Sequence, residues 1–404
     1  MTNLSHENVG PVSNRIVLLD ILRGFALLGI FVVNIEIMNC IFMNQDAFSQ
    51  QWTSSLDTLV VRLQQLFFYG KFFPIFSLLF GVGISIQFLS VKRKGIPMTF
   101  FYRRMGALFL FGIAHILFLW PGDVIHMYAL LGLCILFLAE WKPKNLIILA
   151  IIVFLFPFYG NIFEWITTML GYQSETYLKS YTPESIVTAI REGSYLDGMS
   201  LRIQEYKSNI AVLFVSLIPK AFTMFIFGFI IGKKRWLHEI DTLVQRIKKP
   251  VLWIAVLSNV YRVIFLFFLW ETEIWKDSFW RTLFIYLMQL CDALMALFYI
   301  WILAYLYQYG FWQKLLSPLQ YAGRMALTNY LLQSFIGLLI FSSIGLQWYQ
   351  TLSPSQTMGL AIGVFIGQVL LSKLWLSFFR FGPLEWIWRC ISYGKVLEIR
   401  KKKE

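Results

Sequence analysis

The sequence predicts an all-α membrane protein: a polytopic helical bundle of about ten transmembrane helices in a single transmembrane domain over residues 1–404. The 404 residues are 58% hydrophobic and only 14% charged, and the mean hydropathy is +0.64, whereas a soluble domain carries about 25% charged residues. Segments that span lipid must satisfy their own backbone hydrogen bonds, so they are helices or closed barrels. Long apolar runs favour helices, because barrel strands alternate over roughly ten residues.

Ten stretches approach the length of about 17 to 25 mostly apolar residues that a spanning helix needs. The first follows a polar start, and its apolar run is too long for the core of a cleavable signal peptide. The third and fourth form a hairpin through a Pro-Gly turn, the fifth contains an unbroken apolar run, and basic or polar loops separate the others. In chain order, the predicted spans lie near residues 16–38, 68–89, 101–120, 124–140, 146–168, 209–232, 251–270, 282–307, 322–344 and 358–379.

Lysine and arginine collect in the loops on one side of these spans, mainly at residues 92–94, 233–235 and 380–403. The positive-inside rule places this side, with both termini, in the cytoplasm. We interpret the clusters as orientation signals and contacts to anionic lipid headgroups, not as nucleic-acid sites. The largest segment on the other side, residues 170–208, is expected to form an exterior loop or cap.

The cysteines predict neither a metal site nor a disulfide framework, since all four are isolated and lack CxxC spacing. P-loop, zincin and hydrolase-elbow motifs are also missing from the sequence. Glycines within the spans are expected to permit close helix packing. These glycines are Gly81, Gly83, Gly106 and Gly112.

A charged side chain within a span is costly, by roughly 2.5 to 3.5 kcal/mol, and therefore indicates a candidate site. Asp20 and Arg23 are three residues apart in the first span, so they share one helix face near the cytoplasmic end. One interpretation is an ion pair that lets the helix insert. The other is an anion site, in which Arg23 meets a phosphate or carboxylate by a two-pronged contact.

The hairpin of the third and fourth spans carries His115, Asp123 and His126. His115 precedes Trp120 by five residues, which places it about 7.5 Å below the outer end of its helix. A histidine there can take a proton from an attacking hydroxyl or amine, and Asp123, the expected N-cap of the fourth helix, would orient it. The alternative is a histidine that is only hydrogen-bonded within the packing.

Lys220, Arg262 and Asp292 complete the charges in the middle of the spans. An aspartate with two cationic candidates on other helices predicts a buried network. Structural pairing is the default interpretation. The alternative is that these residues line a path for a transported solute.

Several motifs taken together resemble the YeiB family of bacterial multi-pass membrane proteins over nearly the whole chain. They include Asn34 and lie at residues 19–30, 76–83, 103–123, 323–334 and 381–389. That family is grouped with transmembrane acyltransferases, including the lysosomal enzyme that acetylates the terminal glucosamine of heparan sulfate.

The resemblance implies functional roles in the first helix, where Asp20, Arg23 and Asn34 match an Asp-x-x-Arg-Gly helix followed by a functional Asn. The enzyme's active histidine follows that Asn by eleven residues, where this chain has Gln45. The matching position therefore carries no histidine, and His115 would have to fill the role from another helix.

The resulting hypothesis is a bacterial plasma-membrane acyltransferase that moves an acyl group from cytoplasmic acyl-CoA, such as acetyl-CoA, to a hydroxyl or amine acceptor outside. His115 would be the general base, Asp123 would orient it, and Asn34 would donate to the oxyanion. Arg23 and Arg324, beside Asp20, would hold the donor. The rival hypothesis is a transporter or exporter of a small anionic or zwitterionic solute, and a receptor or accessory subunit is the third. Homo-oligomerisation stays open.

Overall fold

The computed structural model describes residues 14–401, and within this range the chain is built from helices without a β-strand. The predicted all-α fold class is confirmed. In chain order, the helices are α1 (Asn14–Asn39), α2 (Gln45–Ser49), α3 (Ser55–Phe67), α4 (Phe72–Arg93), α5 (Thr99–Phe118), α6 (Ile125–Phe137), α7 (Pro143–Leu155), α8 (Tyr159–Met169), α9 (Pro183–Arg191), α10 (Tyr195–Ser208), α11 (Ile210–Val212), α12 (Ile218–Lys233), α13 (Ile240–Arg246), α14 (Lys248–Phe267), α15 (Ser278–Leu306), α16 (Gly310–Leu316), α17 (Leu319–Arg324), α18 (Ala326–Phe341), α19 (Pro354–Phe378) and α20 (Pro383–Tyr393).

The chain is a helical membrane bundle. Between residues 14 and 401, seven helical stretches are long and apolar enough to cross a bilayer, and the bent pair α7 and α8, whose axes differ by 71°, makes an eighth. The predicted spans near 124–140 and 322–344 correspond to α6 and α18, which have only 13 and 16 residues. At 1.5 Å per residue α6 covers about 20 Å, less than the hydrocarbon core of about 30 Å.

The bundle has two chemically different ends. We define the basic end as residues 92–104, 138–144, 233–249, 307–325 and 379–401. Here Lys92 contacts Glu140 at 2.7 Å, and Lys233 donates to the Ala139 carbonyl. We define the cap end as residues 39–57, 118–124, 170–208 and 342–354.

Within the cap end, residues 170–208, here named the cap, form the helices α9 and α10. Tyr195 of the cap donates to the Phe118 carbonyl at 2.7 Å, and the Ile190 carbonyl accepts from the N–H of Ser343. Ile186 and Leu201 are buried in one apolar cluster with residues of α1. The cap is therefore packed onto the ends of the spanning helices.

The glycines in the spans divide into two groups. Gly81 of α4 lies against the Phe225 backbone of α12, and Gly112 of α5 against the His126 backbone, so both allow two main chains to approach closely. Gly83 instead has only the Arg23 guanidinium nearby, and Gly106 has open space around the position of a Cβ. The packing interpretation therefore applies to Gly81 and Gly112.

Candidate functional site

A cavity of about 370 Å³ opens among the helices at the basic end and extends toward the middle of the bundle. We call it the basic cavity because five arginines line it. They are Arg23, Arg104, Arg324, Arg380 and Arg389. Its volume falls in the range of about 300–1,000 Å³ that is usual for small-molecule sites.

Two of these arginines, Arg23 and Arg324, line the same cavity because α1 and α17 cross at a pair of glycines. Gly24 of α1 lies against the Leu319 carbonyl, and Gly323 of α17 lies against the Asp20 carbonyl. This approach brings Arg324 beside the Asp20 and Arg23 pair, in which a guanidinium N–H donates to the carboxylate at 2.7 Å. The predicted pairing of Asp20 with Arg23 is therefore present, and all three residues line the basic cavity.

Arg104 and Arg389 pack on aromatic rings in or just before the amphipathic helix α20, which closes one side of the cavity. The Arg104 guanidinium lies 3.5 Å from the Trp388 ring centroid, and that of Arg389 lies 4.5 Å from the Phe381 centroid. Trp388 also donates its indole N–H to the Arg104 carbonyl at 2.7 Å. Aromatic faces can hold a guanidinium without neutralising its charge, so both cations remain available to a ligand.

The cations of the basic cavity exceed its carboxylates. Among residues 14–401, Arg104, Arg324 and Arg389 have no carboxylate oxygen within ion-pair distance. Glu385 lines the cavity, but it accepts the N–H groups of Leu327 and Thr328 at 2.7 and 3.0 Å at the start of α18. The unpaired guanidinium groups fit a ligand that carries phosphates or carboxylates.

A buried hydrogen-bond network lies beyond the inner end of this cavity. One Asp123 oxygen is 2.7 Å from His115 Nδ1, and the other is 2.8 Å from His126 Nδ1 and accepts from the His126 backbone N–H. Tyr206 of the cap reaches the network through its hydroxyl, 3.0 Å from His126 Nε2. The residues predicted for this hairpin are therefore brought together.

The network implies one arrangement of protons. An ionised carboxylate only accepts, so each histidine donates its Nδ1–H to Asp123, and Tyr206 donates its hydroxyl to His126 Nε2. Burial by itself would raise the pKa of Asp123, but the hydrogen bonds from His115 and His126 outweigh this and lower its pKa. His115 Nε2 is then left with a lone pair, and it is buried without a hydrogen-bond partner among the described residues.

His115 lies between the basic cavity and a second, smaller pocket. Its ring centroid is 5.3 Å from that of Tyr330, which lines the basic cavity. On another side it is 6.4 Å from that of Trp120, which lines a pocket of about 80 Å³ under the cap. We call this second cavity the cap pocket. The imidazole is fully buried, and the wall of each space includes one aromatic ring that adjoins it.

Comparison with known proteins identifies the family. The family model described as "Protein of unknown function (DUF418)" matches residues 231–395. "Uncharacterized protein YxaH" of Bacillus subtilis (strain 168) is 30% identical over 96% of this chain and 97% of the relative. The chain therefore belongs to the same family as this relative. "Uncharacterized protein YeiB" of Escherichia coli (strain K12) is 27% identical over 93% of this chain and 95% of its own length, which confirms the resemblance found in the motifs. No solved structure matches the chain.

The matched region of the family model, residues 231–395, covers only part of the site. It includes Arg324, Tyr330, Trp388 and Arg389 of the basic cavity. His115 and the rest of its network lie before it, in the part of the chain that the full-length relatives also cover. Both relatives therefore extend over the basic cavity and the histidine network.

Asn34 lies apart from both cavities. It is half-buried in α1, lines neither the basic cavity nor the cap pocket, and its role as an oxyanion donor stays a prediction. Lys220 donates to the Ser216 hydroxyl one turn earlier at 3.2 Å and has no ion-pair partner within residues 14–401.

The buried network predicted around Asp292 has a different second cation. Asp292 pairs with Arg262, and Lys71, not Lys220, lies 3.9 Å from its carboxylate. Arg262 also donates to the Gln65 carbonyl at 2.6 Å. Since Gln65 belongs to the last turn of α3, this contact caps that helix. The cluster ties the α3–α4 junction to α14 and α15 and lines neither described cavity.

Sequence reasoning did not identify Arg104, Arg389 and Tyr206 as site residues, nor Arg202 and Glu205, which line the cap pocket. Arg104 and Arg389 are parts of basic stretches that serve equally well as orientation signals. Tyr206 is 80 residues from His126, so no local spacing connects them. A usable signal was the run Trp386-Ile387-Trp388-Arg389 in α20, in which two tryptophans stand next to an arginine, since aromatic and basic residues together are typical of an interfacial helix.

Proposed function

We propose that this protein transfers an acyl group from acyl-CoA, entering at the basic end, to an acceptor that reaches His115 from the cap end. The observation that carries the proposal is the position of His115, with its unpartnered Nε2. It lies between a cavity lined by five arginines and a pocket under the cap. The anionic nucleotide of CoA would bind the arginines, and its thioester arm would extend toward Tyr330.

The reaction needs one base and no additional reactant. His115 Nε2 removes the acceptor proton as the acceptor atom attacks the thioester carbonyl, and Asp123 stabilises the imidazolium that forms. Collapse of the tetrahedral intermediate breaks the carbon–sulfur bond, and the proton on His115 passes to the departing CoA sulfur. The acyl–acceptor bond forms, and CoA leaves as the free thiol.

The basic end faces the cytoplasm in this proposal, and the membrane is the bacterial plasma membrane. The loops of the basic end carry most of the lysines and arginines that flank the spans, and such loops remain on the cytoplasmic side. Acyl-CoA is a cytoplasmic metabolite, so the arginine-lined cavity would open where its donor is found.

Donor binding is tested by thermal unfolding of the purified protein with CoA or with pantetheine, which lacks the nucleotide. CoA should raise the melting temperature and pantetheine should not, since only CoA carries phosphates. Arg104→Gln and Arg324→Gln should abolish the shift. Arg103→Gln, on the same helix but absent from the cavity wall, is the matched control. Equal shifts in all four proteins would contradict the proposal.

Chemistry is tested with radiolabelled acetyl-CoA. The parent protein should release CoA thiol, by transfer or by slow hydrolysis, and His115→Ala should lose this activity while it keeps the thermal shift with CoA. A His115→Ala protein as active as the parent would rule out this base.

A solute transporter is the second candidate, because the unpaired arginines of the basic cavity would bind an anionic solute equally well. Uptake of an anion into proteoliposomes that needs Arg324 but not His115 would favour this function. Acetyl-CoA cleavage that needs His115 would favour the enzyme.

A further inference from the structure

We propose that the cap pocket binds the acceptor and selects a neutral, hydroxyl-bearing molecule over an amine. This inference rests on the proposed function, for which it names the acceptor class. The pocket lies between α10 of the cap, the cap-end parts of α1 and α18, and the turn after α5. It is separate from the basic cavity, since the two share no lining residue.

Three buried polar side chains in the cap pocket are not fully hydrogen-bonded. Arg202 donates from Nε to the Leu117 carbonyl at 3.3 Å, but its Nη2 has no partner, and neither has the Ser334 hydroxyl. No hydrogen bond or ion pair in residues 14–401 involves the Glu205 carboxylate. Arg202 is 8% exposed, Glu205 6% and Ser334 1%. Buried polar groups normally have partners, so these three groups indicate a polar ligand.

The charges of the pocket select the class of ligand. Arg202 and Glu205 are three residues apart on α10, and within residues 14–401 they are the only charged residues in the pocket wall. A hydroxyl can donate to Glu205 and accept from Arg202 at the same time. An ammonium group can satisfy Glu205 alone and is repelled by the neighbouring guanidinium, and an anion is repelled by Glu205. A neutral alcohol therefore satisfies both side chains.

The rest of the wall is apolar and fits a hydrocarbon ring or chain. Ile37, Trp120 and Leu338 line it. Trp120 is also the ring that adjoins His115 at 6.4 Å between centroids. An alcohol whose hydroxyl is held by Arg202 and Glu205 would pack its apolar part on this wall, beside the ring that adjoins the proposed base.

Cyclohexanol and cyclohexylamine are suitable probes, since they have the same ring and differ in the group that the pocket must recognise. Binding is measured by saturation-transfer NMR on the purified protein in detergent without an acyl donor, at about pH 8.5, where Glu205 is ionised and cyclohexylamine is still protonated. Cyclohexanol should bind with a dissociation constant on the order of millimolar. Cyclohexylamine, which is protonated, should bind at least about tenfold more weakly.

Variants test whether binding occurs in the cap pocket. Arg202→Gln and Glu205→Gln should each weaken cyclohexanol binding about tenfold. The matched controls Arg191→Gln and Glu192→Gln, also in the cap but outside the pocket wall, should bind like the parent. If Arg202→Gln fails to fold, two further variants replace it. Arg202→Lys preserves the charge. Gly198→Leu fills the pocket from α10 and should abolish binding.

A soluble alcohol and a membrane alcohol would offer the same hydroxyl, and nanodiscs separate these sources. If diacylglycerol in the nanodisc displaces cyclohexanol, the acceptor is a membrane alcohol. If cyclohexanol stays bound, the acceptor is a soluble alcohol. Either result supports a neutral, hydroxyl-bearing acceptor.

Amine binding as strong as alcohol binding would overturn the proposed class. No cyclohexanol binding, or unchanged binding in Gly198→Leu, would overturn the site. Because the assay contains no acyl-CoA, failure of acyl transfer alone would leave these binding results intact.

Discussion

Asp123 accepts three hydrogen bonds inside the bundle, from the Nδ1 groups of two histidines and from a backbone N–H. These contacts hold His115 in the tautomer that leaves Nε2 free to accept a proton. The carboxylate is therefore a positioning group, and its value to the reaction lies in its two acceptor oxygens. An amide of the same shape cannot accept from both histidines.

Asp123→Asn should consequently lower the turnover number for acetyl-CoA by about a hundredfold to ten-thousandfold. The amide N–H would face His115 Nδ1 and favour the tautomer whose Nε2 carries the proton. The KM for acetyl-CoA should change little, since the arginines are untouched. Asp277→Asn is the matched control, because Asp277 is an exposed N-cap of α15 and Asn caps equally well. A large rise in KM with unchanged turnover would contradict the positioning role.

Glu205 supplies a prediction about pH. Burial raises the pKa of this cap carboxyl to about 7, and Arg202 opposes the shift. Because the folded pKa is above the ordinary value, the folded state binds the proton more tightly, and stability falls as pH rises from about 4.5 to about 7. The loss is at most about 3 kcal/mol. The melting temperature of Glu205→Gln should change less with pH over this range, whereas Glu192→Gln should keep the pH dependence of the parent. A parallel pH dependence in Glu205→Gln and the parent would exclude this carboxyl as the cause.

At the scale of elements, the crossing of α1 and α17 determines whether the basic cavity forms. Gly24 and Gly323 each lie against a carbonyl oxygen of the opposite helix, so a side chain at either position would push the helices apart. Asp20, Arg23 and Arg324 stand beside this contact. The packing at the two glycines thus also sets the spacing of Asp20, Arg23 and Arg324.

Gly323→Leu should therefore destabilise the protein by about 1–3 kcal/mol or more, and it should abolish the thermal shift with CoA in the fraction that still folds. Gly363→Leu in α19 is the control, since a Cβ at that position meets open space. Melting temperatures in detergent, with and without CoA, measure both effects. A Gly323→Leu protein as stable as the parent would mean that the two helices can separate at little cost.

Over the whole molecule, sequence reasoning succeeded where the determining contacts are local. Asp20 and Arg23 are one helical turn apart, and His115, Asp123 and His126 belong to one hairpin. Hydropathy located ten apolar helices, but two of them, α6 and α18, have only 13 and 16 residues and are too short to span alone. Composition does not show this difference.

The remaining contacts join distant parts of the chain. Arg104 meets Trp388 only after α20 returns to α5. Asp292 meets Lys71 because the α3–α4 turn, with Gly70 at a φ of 81°, brings that lysine inward. In the sequence, Arg104 and Lys71 resemble any other basic residue. Only tertiary packing distinguishes them from the lysines and arginines of the loops.

Orientation is a property of the whole molecule, and it follows from the asymmetry between the basic end and the cap. In a variant without its own cysteines, Ser194→Cys in the cap and Ser317→Cys at the basic end place one thiol on each side. Both serines are partly or fully exposed. A membrane-impermeant maleimide added to intact cells should label the cap thiol, and the basic-end thiol should react only after the membrane is opened. The reverse pattern would place the arginine-lined cavity outside, away from cytoplasmic acyl-CoA, and would thus contradict the proposed reaction together with its orientation.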